Sequence, residues 1–372
     1  MLRYPMLLSI VVVGSTALAN PELHEIGLNA DYKLFELTFE DKPQWVHSLA
    51  LSSESTATRK LSVFTGSHLF EYDEQFRKVR SVDFTKAFSP LRHELSNFDV
   101  LFDKDANLQY VIGWAQPAKA IHVVSGDGMT LSSFEPDLPA FSFWGKAKFA
   151  TLVRVDDDTR VAVVNAGPVS VLLYSLQGDL IWKRQVATKG LVDAASGAPI
   201  GSYYFIGAGG KFHAVPLDGI SPIITTSLPS RSSPIINQME WDDANSWFVI
   251  KYAGLQYAAT VSRADGFAKA VAVKQPFDPI PHVVTQGPDG PIKIWFSGGR
   301  QANLNVSSST GVSQHQLDIG LDGPVSIPRQ LRRQQCAVLK VDMPPLMKGD
   351  ALLAIASKLY VVRPRPKHAA SE

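Results

Sequence analysis

The residues best suited to holding a hard cation lie in three acidic turns. Asp103-Lys104-Asp105-Ala106-Asn107 fits D-x-D-x-N, three oxygen-bearing side chains at the alternating spacing that calcium favours. Asp156-Asp157-Asp158 and Asp242-Asp243-Ala244-Asn245 are looser versions of it. A calcium loop needs glycine at its sixth place and a bidentate acid at its twelfth. Leu108 and Trp114 stand there instead. Asp and Asn also make good hairpin turns, because their side chains bond to the local backbone. The turn reading is the stronger one, so Asp103, Asp105 and Asn107 are a weak calcium candidate and no cofactor is expected.

Other catalytic patterns are missing. The chain has no G-x-S-x-G nucleophile elbow, no H-E-x-x-H zinc helix and no phosphate-binding loop. Gly207–Phe212 has the glycines of such a loop but reads as a hairpin. His24, His47, His68, His93, His122, His213, His282 and His315 fall in separate segments, and no pair has local ligand spacing. The single cysteine, Cys336, sits in an apolar strand and reads as a buried small side chain.

Aromatic and arginine side chains are a different signal. Arg92, His93, Phe143, Trp144, Arg231, Phe277, His282, Arg329, Arg332 and Arg333 sit in long polar or proline-rich connections. Aromatics and arginines dominate binding hot spots, and arginine can fork onto a carboxylate or phosphate. These ten residues are the candidate binding set. The bland reading, aromatics covering a channel mouth and arginines solvated, weighs equally.

The elements that position them form a repeat. Compact apolar strands ending in small residues start near Lys60, Leu108, Thr159, Ser202, Ser246, Ile292 and Ala351, at intervals of 43 to 59 residues. Before each comes another strand. After each come a second apolar strand, a tight turn such as Gln177-Gly178-Asp179, and a more polar strand. A four-stranded propeller blade has about this length. The fold expected is all-β, a β-propeller of seven four-stranded blades. The seventh unit lacks its fourth strand, while a spare strand begins at Tyr32. That strand is expected to close the ring, removing the exposed edges of an open array.

Val169–Val186, VSVLLYSLQGDLIWKRQV, resembles the repeat of quinoprotein-like, or WD40-like, propellers, with Gly178, Leu180, Ile181 and Trp182 at the matching places. The match covers one blade, and the outline covers most of the chain. The resemblance implies either an enzyme carrying pyrroloquinoline quinone or a scaffold, such as a periplasmic component of outer-membrane assembly. The cofactor enzymes repeat the tryptophan in most blades and often add a calcium site and a disulfide ring. This chain has one such tryptophan and one cysteine, which favours the scaffold.

The first residues set the compartment. Arg3, an apolar run from Met6 to Val13, and Ala17-Leu18-Ala19 read as a secretory signal over residues 1–19. Residues 20–366 would be the propeller and 367–372 a polar tail. A net charge of +1 gives no case for nucleic acid, and no later apolar run reaches spanning length. The expectation is an exported binding module, periplasmic or extracellular, engaging a protein, peptide or glycan. The rival is a propeller enzyme, either a quinone- or metal-dependent oxidoreductase or a lactonase-like hydrolase, since such sites are assembled from separate blades.

Overall fold

The computed structural model describes residues 22–28, 31–38, 46, 48–52, 59–74, 77–89, 96–115, 120–137, 147–166, 168–187, 192–200, 202–230, 235–242, 246–252, 257–273, 283–287, 289–298, 302–317, 339–341, 350–355 and 358–365. Among these the regular elements are strands, grouped in seven small antiparallel sheets that form a seven-bladed β-propeller. Strands in each blade are lettered A to D from the channel outward.

Blade 1 comprises Ser48–Leu51, Leu61–Phe64, His68–Tyr72 and Lys78–Asp83. Blade 2 comprises Ser96–Phe102, Leu108–Ala115, Ile121–Ser125 and Thr130–Phe134. Ala147–Val155, Asp158–Ala166, Val169–Tyr174 and Leu180–Ala187 make blade 3. Blade 4 holds Val192–Ile200, Tyr203–Ala208, Lys211–Pro216 and Ile224–Ser227. Blade 5 holds Ile236–Asp242, Trp247–Tyr252, Tyr257–Ser262 and Ala270–Val273. Val283–Gly287, Gly290–Gly298, Ala302–Ser308 and Gly311–Leu317 make blade 6. In blade 7, Leu339–Val341, Asp350–Ile355 and Lys358–Pro364 are joined by Tyr32–Thr38 as strand D.

The core lies between blades. Side chains alternate along a strand, and both faces of each blade meet a neighbour. In blade 4, Tyr204, Ile206 and Ala208 pack on Val153 and Val164 of blade 3. Phe205, Phe212 and Ala214 point the other way, onto Phe248 and Ile250 of blade 5. Burial on both faces explains why strands B and C read as nearly continuous apolar runs. Truncating Phe205 or Phe248 to alanine should cost about 3–5 kcal/mol.

The outer strands dock by a repeated device. Strand D of one blade reaches the C–D turn of the next. Ser132 Oγ donates to Leu176 O at 2.6 Å, Arg184 to Ser221 O at 2.6 Å, and Thr226 Oγ1 to Phe267 O at 2.6 Å. Trp182 Nε1 donates to Leu217 O at 3.2 Å, and its ring covers Gly219 so closely that a Cβ there would lie 2.6 Å from Cδ1. Phe134 covers Gly178 in the same way, with a built Cβ 2.7 Å from its own. Both glycines have positive φ, +73° and +93°.

Ring closure uses the N-terminal segment. Tyr32–Thr38 pairs with Lys358–Pro364 from Tyr32 opposite Pro364 to Leu37 opposite Leu359. The Arg365 N–H donates to Asp31 O at 2.9 Å, tying strands C and D of blade 7 together where other blades have a C–D turn. The Asp31 carboxylate accepts from the Ser309 and Thr310 hydroxyls, each at 3.0 Å, in the C–D turn of blade 6. Phe35, Leu352, Leu359 and Val361 then meet Leu49, Leu61, Val63 and Tyr72 of blade 1. One element goes beyond the sequence reading: Glu22–Leu28 pairs outside Tyr32–Thr38, so the closing sheet has five strands. No helix among the described residues is long and apolar enough to cross a membrane.

Candidate functional site

The A-B-C-D order puts the D–A connections and B–C turns on one face of the disc. The D–A connections are the most uneven part of the repeat, from the short link between Ala187 and Val192 to the long one between Leu317 and Leu339. All ten candidate binding residues lie in them: Arg92, His93, Phe143, Trp144, Arg231, Phe277, His282, Arg329, Arg332 and Arg333. All ten lie outside the described residues. What is described is how the loops are rooted.

Three of the described roots are fastened to the following blade. After blade 1, Phe84 and Phe88 pack with Phe64 and Phe98, the last of these in strand A of blade 2. After blade 2, the Asp137 N–H donates to Tyr174 Oη at 2.7 Å, and Lys183 pairs with the Asp137 carboxylate at 2.9 Å. Burial pushes the Tyr174 hydroxyl up, so it stays protonated while accepting that bond. After blade 4, Tyr252 Oη donates to Pro229 O at 2.9 Å. The loops therefore leave fixed points, which is how a rigid scaffold presents a binding surface.

The acidic turn of blade 2 is built as a hairpin. One oxygen of Asp103 accepts the N–H groups of Asp105 and Asn107, both at 2.9 Å, and the other accepts Asn107 Nδ2 at 2.9 Å. Burial works to raise the Asp103 carboxyl. The bonds from Asn107 and Asp105 and the Lys60 charge outweigh it and hold the group below its ordinary value. Asn107 Oδ1 accepts Lys60 Nζ at 2.5 Å, from the neighbouring blade. Among the described residues no group of three or more His, Cys, Asp or Glu could hold a metal ion.

The described histidines do not converge. His213 sits in strand C of blade 4 between Thr225 Oγ1 at 3.0 Å and Ala208 O at 3.3 Å, and desolvation pulls it down. His122 is buried in blade 2, and His315 meets the Tyr32 hydroxyl at 2.6 Å. His68 stacks on Phe70, and His24 lies on the outermost strand of blade 7. His47, His93, His282 and Cys336 lie outside the described residues. Asn305, whose Asn305-Val-Ser307 could be a glycosylation sequon, is buried and donates to Trp295 O at 3.3 Å.

One polar group was read only as part of a strand. Asp99, in strand A of blade 2, points toward blade 3 and accepts the Leu152 N–H at 2.6 Å. Beside it Thr151 Oγ1 and Tyr204 Oη meet at 3.3 Å, joining blade 3 to blade 4. Desolvation, opposed by the Leu152 and Val100 amides, lifts Asp99 up to about 7. Tyr204 is pushed up by burial and, secondarily, by the Asp99 charge. A lone aspartate inside Phe98-Asp99-Val100-Leu101-Phe102 was the available signal.

No protein-family model matches the chain, and no curated protein sequence does. Among solved structures it is similar to a streptogramin B lyase, at 10% identity and a TM-score of 0.53, covering 90% of this chain and 98% of that one. A virginiamycin B lyase from Staphylococcus aureus aligns at 9% identity and a TM-score of 0.49, over 89% and 99%. BamB from Moraxella catarrhalis aligns at 8% identity and a TM-score of 0.37, over 94% and 95%. At such identities the first of these speaks for the fold alone, and it agrees with the strand order: the chain is a seven-bladed β-propeller.

Proposed function

We propose that this propeller is an exported binding module that engages a protein, peptide or glycan through its D–A/B–C face. The observation that carries the reading is the contrast between framework and loops. The described blades share one strand order, and blades 2 to 5 dock by one device, while the D–A connections differ in length and three of them spring from roots pinned by Tyr174, Tyr252 and Phe98. Those connections hold the aromatic and arginine side chains that suit a hot spot. The leader-like residues 1–19 support a partner met in the periplasm or outside the cell.

The test is a double variant, Trp144→Ala with Arg333→Ala, compared with wild type for partner capture and thermal melting. Reduced capture at unchanged melting is the expected result. Unchanged capture would overturn the assignment of this face.

A further inference from the structure

Strand D of a blade turns one row of backbone groups away from its sheet, and proteins defend such edges with charge, shortness, irregular pairing or cover. Most edges here show one of these defences. Lys78 and Arg80 stand in strand D of blade 1, and Lys183 and Arg184 in that of blade 3. Strand D of blade 2 is short and has a register shift between Thr130 and Ser132. Those of blades 4 and 5 have four residues each. In blade 7 the edge is covered by Glu22–Leu28. Blade 6 differs from all of these. Its strand D, Gly311–Leu317, has seven residues, with no Asp, Glu, Lys, Arg or Pro among them, and pairs with strand C without a register shift. Val312 on it is 64% exposed, and Gln314 and Gln316 are exposed beside it.

The C–D turn fixes which groups face outward. Ser308 pairs with Gly311 across the two-residue loop Ser309-Thr310, so that pair exchanges both of its backbone bonds. Alternation then gives the ladder bonds within the blade to Gly311, Ser313, His315 and Leu317. It turns the N–H and C=O groups of Val312, Gln314 and Gln316 away from the sheet. Among the described residues no strand lies beyond them.

We propose that this edge joins two copies of the chain: Gly311–Leu317 pairs antiparallel with the same strand of a second copy, about a twofold axis at Gln314. In that register Gln314 faces Gln314 of the other copy, and Val312 faces Gln316. These are the residues whose backbone groups point outward, so each of these pairings exchanges backbone bonds, and the two blades become one continuous sheet. Charge favours a second copy as the occupant. Twofold pairing sets a strand against itself, so a charge near the axis meets its like, as Lys183 and Arg184 would in blade 3; Gly311–Leu317 carries none. Blade 7 shows that the outer edge of a blade in this ring accepts a further antiparallel strand.

Strand D forms the rim of the disc, so the contact leaves the loop face free, and the inference stands apart from the reading of that face. Antiparallel pairing turns one disc over relative to the other. The two D–A/B–C faces then point to opposite sides, an arrangement that bridges two partners and adds no second grip on one.

The experiment is sedimentation velocity on the purified protein across a concentration series, with thermal melting as the check on folding. Wild type is expected to dimerise as concentration rises. Val312→Lys combined with Gln316→Lys sets lysine against lysine on both sides of the axis. It should raise the dimer dissociation constant at least about tenfold at unchanged melting. Val312→Glu combined with Gln316→Glu should do the same, and an equimolar mixture of the two double variants should recover the dimer. A wild type that stays monomeric up to about 0.1 mM overturns the proposal and leaves the edge to a strand of another protein. A dimer that neither double variant weakens, or a mixture that stays monomeric, overturns it as well.

Discussion

Replacing Gly219 with alanine tests whether the outer strands lock the blades together. Two separate costs are expected. The backbone sits at φ +73°, where an L side chain is strained by about 1–2 kcal/mol. The new Cβ would also lie 2.6 Å from Cδ1 of Trp182, whose ring is held by its own bond to Leu217 O. Moving a packed ring aside costs about 1–3 kcal/mol. The sum for Gly219→Ala is therefore about 2–5 kcal/mol. Only the second part depends on the ring. In a Trp182→Ala background the overlap disappears, and about 1–2 kcal/mol should remain. The assay is a double-mutant cycle by urea denaturation, read as midpoint shifts at constant slope. A coupling of about 1–3 kcal/mol between the two sites is predicted. Equal effects of Gly219→Ala in both backgrounds would refute the docking of blade 3 onto blade 4 through this ring.

Three further outcomes follow from the same contacts. Asp31→Ala should raise the acid midpoint of unfolding. Hydrogen bonds from Ser308, Ser309 and Thr310 outweigh burial and hold its carboxyl below the ordinary value, so its contribution exists above about pH 4 and is lost as pH falls through the folded value; an unchanged acid limb would contradict the ring-closing role. Tyr174→Phe should leave melting nearly unchanged while speeding exchange of the Asp137 amide, and no change in that exchange would show that the loop root is not held there. Asp103→Ala should cost about 1 kcal/mol through its lost turn bonds, equally with and without added calcium, and a cost that grows with calcium would restore the cation reading.

The propeller was legible because two-sided burial writes itself into the chain. Runs such as Val169–Tyr174 are buried at every position, and the turn after that run supplies glycine where Phe134 of the preceding blade covers it. Tyr32–Thr38 was legible for the same reason, since Tyr32, Leu34 and Phe35 are all buried. Glu22–Leu28 was not: it lies outermost, with His24, Glu25 and Ile26 exposed, and no neighbouring blade imposes an apolar pattern on it. Asp99 was hidden for the opposite reason. One polar residue in an apolar strand looks like a break in the pattern, and only the position of blade 3 shows that Leu152 N–H waits opposite it. The loop residues were legible as types, because aromatics and arginines stand out in proline-rich connections. Their positions in space were not, since no periodicity governs such a connection, and all ten lie outside the described residues.

The central claim is that partners meet the D–A/B–C face. Its most direct test is site-specific photo-crosslinking, one probe per variant, at Trp144 and Arg231 in the D–A connections and at Asp157 and Asp265 in the A–B and C–D turns of the opposite face. The account predicts partner adducts from the first pair and none from the second. Adducts confined to Asp157 and Asp265, with Trp144 and Arg231 silent, would contradict it.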